Sequence, residues 1–480
     1  MTTETTFGDI LQSWGTVKGS TRLAFGIVKG AWWLGKKAFS GSQSKAHIND
    51  TMSVLQSKKP HGVVFGKRDG KYIIKPEGLD GHVLVVGGVG SGKSSCIAIP
   101  TLRAWRESVF AIDIKGELYD KTKQYRPNVK VFNPLVRSSY GYDPYFSLHS
   151  SGNPSQEARA IAQALVPLPP DIKDPFWIES AQNILASAIL HYSRQRLSFL
   201  DTIRQIQSTS PSELITELCQ SPQREAVYLV NSMLGMEDRT LSGIVAELSK
   251  NIVHFVTDKN LVSALSRKNN IIPNDLEYGH DIYIQIPEHL LRQWKNLLTL
   301  IVNQFLTHFE KRSERNSRPI LFLLDEFPRL GKVSAMLDGL ATLRSKKVSI
   351  CLIIQSLAQL DTIYGANERK VISDTCAYKA ILGATDADTQ EYFSRLVGTY
   401  DKQTTTHGTN SDFFGVPKGK STNIYEQEKR IIKPHEFGML SDIILLTPYS
   451  TALSLATGKG VSQVLEVSFC RVQKVPYFVG

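Results

Sequence analysis

Cysteine is scarce in this 480-residue chain. Cys96, Cys219, Cys351, Cys376 and Cys470 are the only five, and no CxxC pair occurs among them. An odd, dispersed set excludes a disulfide framework and a thiolate metal site, and reads as reduced, mostly buried thiols of a cytosolic protein. Long apolar runs are missing too. No stretch reaches the roughly 18 apolar residues of a membrane-spanning helix. The nearest, 23–34, is short and broken by Lys29, and it makes no clean signal peptide. No internal repeat is evident. With 41% hydrophobic residues the chain is neither disordered nor collagen-like. At about 100–200 residues per domain the length suggests two to four structural units. Acid is in deficit: 45 Asp and Glu face 56 Lys and Arg, a net charge of +11. Such an excess favours a polyanionic partner, whether nucleic acid, nucleotide or an anionic membrane surface. Residues 1–80 hold 12 Lys and Arg against 6 Asp and Glu, so +6 of the excess lies in the first sixth of the chain.

Residues 1–60 read as a basic amphipathic segment. On a helical wheel Lys18, Arg22, Lys29 and Lys36 share one stripe, away from Leu23, Ile27, Ala31 and Leu34. With Trp32 and Trp33, the 18–37 stretch fits either an interfacial helix on anionic lipid or a helix covering a domain or partner. From residue 61 the pattern becomes α/β. Apolar runs at 82–86, 108–112, 320–324 and 348–354 end in polar or glycine residues, as expected for strands of a mostly parallel sheet buried on both faces. Between the second and third runs, 146–280 reads as helix after helix: 156–165, 176–196, 212–220, 224–235 and 241–257. The expected organisation is a nucleotide-binding domain of 61–145 and 281–480, with an all-α domain of 146–280 inserted. Ser210 and Glu213, flanking Pro211, suggest a capping box. The polar, Gly/Thr-rich stretch 401–422 reads as a mobile loop.

The strongest local signal is GGVGSGKS at 87–94, which satisfies GxxxxGK[ST] between an apolar strand and a helix expected over 95–105. In this setting Gly87, Gly88, Val89, Gly90, Ser91 and Gly92 curl the backbone so that N–H groups converge on phosphate oxygens at a helix N-terminus. Lys93 would neutralise the β- and γ-phosphates, the Ser94 hydroxyl would ligate Mg2+, and Ser95 opens the helix. The complementary acidic residues end the run at 320–324. There Asp325 would hold the magnesium through water, and Glu326 would act as general base toward the attacking water. Together the two motifs point to hydrolysis of a nucleoside triphosphate. Gln355 follows the run 348–354 and fits either a γ-phosphate sensor at the carboxyl edge of a strand or an ordinary strand-ending polar residue. Arg344 ends the helical pattern Met336, Leu337, Leu340, Leu343. It fits either an arginine finger toward a neighbouring subunit's nucleotide or a cation at a helix C-terminus.

Taken together, these motifs resemble the TraG/TraD family of type IV secretion coupling proteins, the conjugative DNA-translocating ATPases. The resemblance runs through VVGGVGSGKS (85–94), IPTL (99–102), DIKGE (113–117), DPFW (174–177), LDEF (324–327), LATLR (340–344), IQSLAQL (354–360), Tyr364-Gly365 and KRIIKPHE (429–436). It implies a RecA-like P-loop NTPase motor with an inserted all-α domain, assembled as a homo-hexamer around DNA. ATP with Mg2+ would be the cofactor, and relaxase and secretion-channel components the partners. It also implies that Lys93, Asp325, Arg344 and Gln355 bind and hydrolyse ATP, with Arg344 acting in trans.

Two departures from the family pattern stand out. No N-terminal transmembrane anchor is readable, and no long acidic extension follows the last motif. The expected location is therefore cytoplasmic, or peripheral on the cytoplasmic face of the bacterial inner membrane. Cargo choice then falls to the all-α region. Candidate DNA contacts are the basic stretches at 58–59, 67–68, 312–318 and 346–347, each of which also suits a solvated face. The alternatives are a soluble DNA translocase of the chromosome-segregation type, and a nucleotide-gated adaptor that docks substrates with little turnover.

Overall fold

The computed structural model describes residues 50–480 apart from 170–171, 315–316, 412–416, 459–460 and 478–480. The amphipathic stretch 18–37 lies outside the described residues. Fourteen strands occur among those described. In chain order they are β1 (Gln56–Ser57), β2 (Val63–Arg68), β3 (Lys71–Lys75), β4 (Val83–Gly87), β5 (Ser108–Ile112), β6 (Val129–Phe132), β7 (Asp281–Ile284), β8 (Ile320–Leu324), β9 (Val348–Ile354), β10 (Tyr378–Gly383), β11 (Thr399–Ser411), β12 (Pro417–Arg430), β13 (Ile443–Gly458) and β14 (Val461–Val472).

Nine of them form one sheet in the order β14-β13-β10-β4-β9-β8-β5-β7-β6. The seven from β10 to β6 run parallel, and β13 and β14 extend the β10 edge antiparallel. The four apolar runs read from sequence are β4, β5, β8 and β9, which lie side by side at the centre as β4-β9-β8-β5.

Strand periodicity divides the sheet's side chains between two cores. Leu84, Val86, Phe110, Ile112, Phe322, Leu324, Leu352 and Ile354 face one side, against Trp294, Leu298, Ile301 and Phe305 of the helix Leu291–Glu310. Val83, Val85, Val109, Ala111, Leu321, Leu323, Cys351 and Ile353 face the other, against Ile97, Ile99, Leu102 and Trp105 and the small sheet β1-β3-β2. Burial on both faces leaves the strands without polar alternation, so each reads as a continuous apolar run. Residues 51–57 join this second side: Met52 and Leu55 are buried and β1 pairs with β3.

The helical region is inserted between β6 and β7, which are adjacent and parallel. Its helices run from Phe146–Ser150 to Asn274–Glu277 and share a continuous apolar core with the first face of the sheet. The chain leaves and returns at one place, where Gly141 bridges Asn270: the Gly141 N–H donates to the Asn269 carbonyl (2.7 Å) and the Ile271 N–H to the Gly141 carbonyl (2.9 Å).

Two local expectations are corrected. The stretch 401–422, read as a loop, is largely strand: 401–411 and 417–422 belong to a long antiparallel hairpin in which β11 and β12 pair from Thr399–Arg430 to Ser411–Pro417. Its many threonines are β-branched and favour extended backbone, a preference that outweighs the polarity read as loop. Ser210 stands at the N-cap position of the helix Pro211–Cys219 but forms no capping box, because its hydroxyl donates to the Glu213 carboxylate (2.6 Å) and accepts no backbone N–H. A reciprocal capping box is found at Ser198 and Asp201.

Candidate functional site

The glycine-rich segment follows β4 at the carboxyl edge of the sheet. Gly90 (φ 75°) and Gly92 (φ 97°) adopt left-handed backbone that a side chain would disfavour. A Cβ on Gly87 would stand 2.3 Å from Ser91 Oγ, so the loop closes tightly on itself. The helix that follows begins as a π-type turn, Lys93–Ala98, and continues as Ile99–Ala104. Pro100 has no N–H, and its ring would clash with the Cys96 carbonyl in regular α geometry; the wider turn accommodates it.

Lys93, Ser94, Asp325, Glu326 and Gln355 line one cleft of about 640 Å³, together with Val89, Gly90, Gly92 and Ser95. They come from the ends of β4, β8 and β9, three neighbouring parallel strands, which is why residues 260 positions apart meet. Gly87, Gly88 and Ser91 form the layer beneath. Lys93 Nζ donates to the carbonyls of Gly87 (2.6 Å) and Gly88 (3.0 Å). Burial lowers the Lys93 pKa, opposed by the nearby Asp325 and Glu326 carboxylates. The Asp325 carboxyl is pushed up to about 6 by burial and by the Glu326 charge, and the Glu326 N–H donates to its Oδ1 (3.0 Å). Glu326 sits at φ 50°, an unusual conformation for a side-chain-bearing residue, and turns directly into the short helix Phe327–Leu330.

The cleft also holds residues that motif reading left without a role: Lys115, Glu117, Glu288, Arg329, Gln359 and Tyr477. Arg329 pairs with both Glu326 (3.1 Å) and Glu288 (2.7 Å), and Lys115 Nζ lies 3.5 Å from Glu326. Lys115 and Glu117 belong to DIKGE, so the motif flagged their neighbourhood. Asp113 explains that motif structurally. It is buried and accepts the N–H groups of Leu118 (3.1 Å) and Tyr119 (2.9 Å), fixing the helix Glu117–Thr122. Glu288 and Tyr477 carry no local signal and reach the cleft only through the tertiary fold.

Arg344 is not in the cleft. It is exposed in the turn before β9, at the amino edge of the sheet, whereas Gln355 follows the end of the same strand. Seven residues at about 3.3 Å each separate them by on the order of 20 Å.

The residues fit a magnesium nucleotide. The loop brings backbone N–H groups and Lys93 to the cleft, the buried Ser91 hydroxyl has no hydrogen-bond partner, and the Asp325 carboxylate lines the same cleft as Ser94. Among the described residues no cluster of three or more His, Cys, Asp or Glu could hold a metal ion. A cation here would rest on Ser94, Asp325 and the phosphates themselves.

A family model described as "Type IV secretory system Conjugative DNA transfer" matches residues 35–450. The chain belongs to that family. Relatives include protein VirD4 of Rhizobium radiobacter, 25% identical over 401 residues, covering 79% of this chain and 57% of VirD4. Conjugal transfer protein TraG of Escherichia coli is 24% identical over 468 residues, covering 88% of this chain and 72% of TraG. The chain thus spans less than two thirds of the length of VirD4. The plasmid coupling protein TrwB, solved with ADP and Mg2+, shares the fold at a TM-score of 0.63 and 17% identity, covering 89% of this chain and 94% of that one. The shared fold, a RecA-like P-loop domain with an inserted all-α region, accounts for the sheet order and for the helices between β6 and β7. Among the described residues no helix is long and apolar enough to cross a membrane.

Proposed function

We propose that this coupling-family chain binds ATP with Mg2+ in the cleft, hydrolyses it, and uses the cycle to drive relaxase-linked DNA into a type IV secretion channel. The observation that carries this reading is the convergence of Lys93, Ser94, Asp325, Glu326 and Gln355 from three adjacent strand ends. TrwB, which shares the fold, was solved with ADP and Mg2+ and with a non-hydrolysable ATP analogue.

In the proposed cycle Lys93 exchanges its bonds to the Gly87 and Gly88 carbonyls for phosphate oxygens, and the loop N–H groups hold the remaining charge. Mg2+, when bound through Ser94 and Asp325, supplies neutralisation of charge on the transferred phosphoryl group. Glu326 takes a proton from the attacking water at its carboxylate. It first leaves Arg329 and Lys115, which engage its two carboxylate oxygens. That pairing favours low basal turnover until DNA or a partner shifts Arg329 toward Glu288. Gln355 reports the state of the γ-phosphate to β9. Arg344, far from its own cleft, serves a neighbouring subunit of a homo-hexamer. The chain would work on the cytoplasmic face of the inner membrane, where DNA, relaxase and channel meet.

ATP turnover by the assembled ring with and without DNA tests this. DNA-stimulated hydrolysis that Lys93→Ala and Asp325→Ala abolish is the expected result. No turnover by the wild type, with ring and DNA both verified, would refute the motor and leave a nucleotide-gated adaptor.

A further inference from the structure

After β14 the chain returns across the cleft. Lys474 Nζ donates to the carbonyls of Leu382 (3.1 Å) and Leu440 (3.2 Å), holding this segment to the sheet. Three residues later the Tyr477 N–H donates to the Ser95 carbonyl (2.9 Å), and the Tyr477 hydroxyl meets Glu117 Oε1 at 3.2 Å. Tyr477 takes φ 47°, left-handed backbone that a tyrosine rarely adopts, and the residue lines the cleft of Lys93 and Asp325. The residue is held by its backbone and hydroxyl, and 38% of its surface is exposed. Lys121 Nζ lies 5.9 Å from the ring centroid.

The cleft has a polarity. Lys93 would hold the β- and γ-phosphates, Asp325 the magnesium beside them, and the loop N–H groups leading into the helix the α-phosphate. With the magnesium end of the nucleotide at Ser94 and Asp325, the nucleoside would leave past Ser95, the next residue of the helix. Ser95 is the residue to which Tyr477 is tied.

We propose that Tyr477 is the nucleoside platform of this cleft, its ring stacking on the base of the bound nucleotide; this rests on the nucleotide reading above. A π-face accepts any base, and the lysine beside the ring adds no pattern of donors and acceptors that would tell adenine from guanine. The cleft therefore holds ATP and GTP with similar affinity.

Calorimetric titration of ATP, GTP and inorganic tripolyphosphate, each with Mg2+, into the full chain separates base contact from phosphate contact. Tyr477→Ala should weaken ATP and GTP roughly tenfold and leave tripolyphosphate unchanged, as expected for loss of one stacking contact. Tyr477→Phe keeps the ring, loses the Glu117 contact, and should retain wild-type nucleotide affinity. Equal weakening of tripolyphosphate by Tyr477→Ala would make the residue only a tether for Ser95, and unchanged ATP affinity would remove it from the site; either result overturns the proposal. If the wild type binds none of the three ligands, or Lys93→Ala leaves tripolyphosphate binding intact, the nucleotide reading itself fails.

Discussion

His82 opens the strand that leads to the phosphate loop, and its ring is buried between strands. Its Nδ1 accepts the Ile350 N–H (3.0 Å), and its backbone carbonyl accepts the Tyr378 N–H (3.2 Å), so it ties β4 to both neighbours. Burial and the positive charge of Lys75 lower its pKa to about 4. The unfolded chain therefore takes up a proton as pH falls through about 6.5, while the folded chain stays neutral until about 4. Stability is present above this window and is lost as pH falls through it, by about 1.4 kcal/mol per unit at most. Urea denaturation between pH 7 and 5 should show the midpoint falling. His82→Gln should be less stable at pH 7 but flatter across the window; an unchanged slope would contradict this assignment. In the cleft, the placement of Lys93, Ser94 and Asp325 was legible because each sits at a fixed offset from an apolar strand. Arg329 was not, because its meaning depends on Glu288, 41 residues away, reached only when β7 lies in the sheet.

Whole elements were legible where burial dominates. The strands β5, β8 and β9 have the bounds that their apolar runs suggest, since a strand buried on both faces tolerates few polar residues. The hairpin β11–β12 was not legible, because an exposed two-stranded ribbon needs no apolar pattern and threonine-rich sequence serves strand and loop alike. The junction of the helical region depends on Gly141. A Cβ there would stand 2.6 Å from both Arg267 Cβ and Asn270 Oδ1, and 2.7 Å from the Ala264 carbonyl oxygen. Gly141→Ala should cost about 1–3 kcal/mol by overpacking, measurable as a lower Tm, while a distant exposed change such as Ala341→Ser should not. An unchanged Tm for Gly141→Ala would show that the junction yields freely. The turn before β9 places Arg344 at the edge opposite its own loop, so a catalytic role requires a second subunit. Mixed rings of Arg344→Ala and Lys93→Ala chains should recover part of the turnover that each lacks alone. Continued inactivity, with mixed assembly verified, would count against action in trans.

For the whole molecule, the net charge of +11 and the family assignment together predict DNA binding through phosphates, largely independent of sequence. Affinity measured by anisotropy between 50 and 200 mM salt should fall steeply, by roughly tenfold or more. A salt-independent affinity would place the contacts on bases instead. A mostly parallel sheet interrupted by a helical region was expected from the spread of motifs along the chain, whereas the strand order was not, and the segment beyond β14 tied to Ser95 had no motif to announce it. Every larger role proposed above rests on nucleotide binding. Calorimetric titration of ADP with and without Mg2+ tests it most directly. Expected is one site per chain, weakened when Mg2+ is omitted or Asp325 is replaced by Ala, and lost in Lys93→Ala. A wild-type chain that takes up no ADP, or a Lys93→Ala chain that binds it as well as the wild type, would contradict the assignment of this cleft.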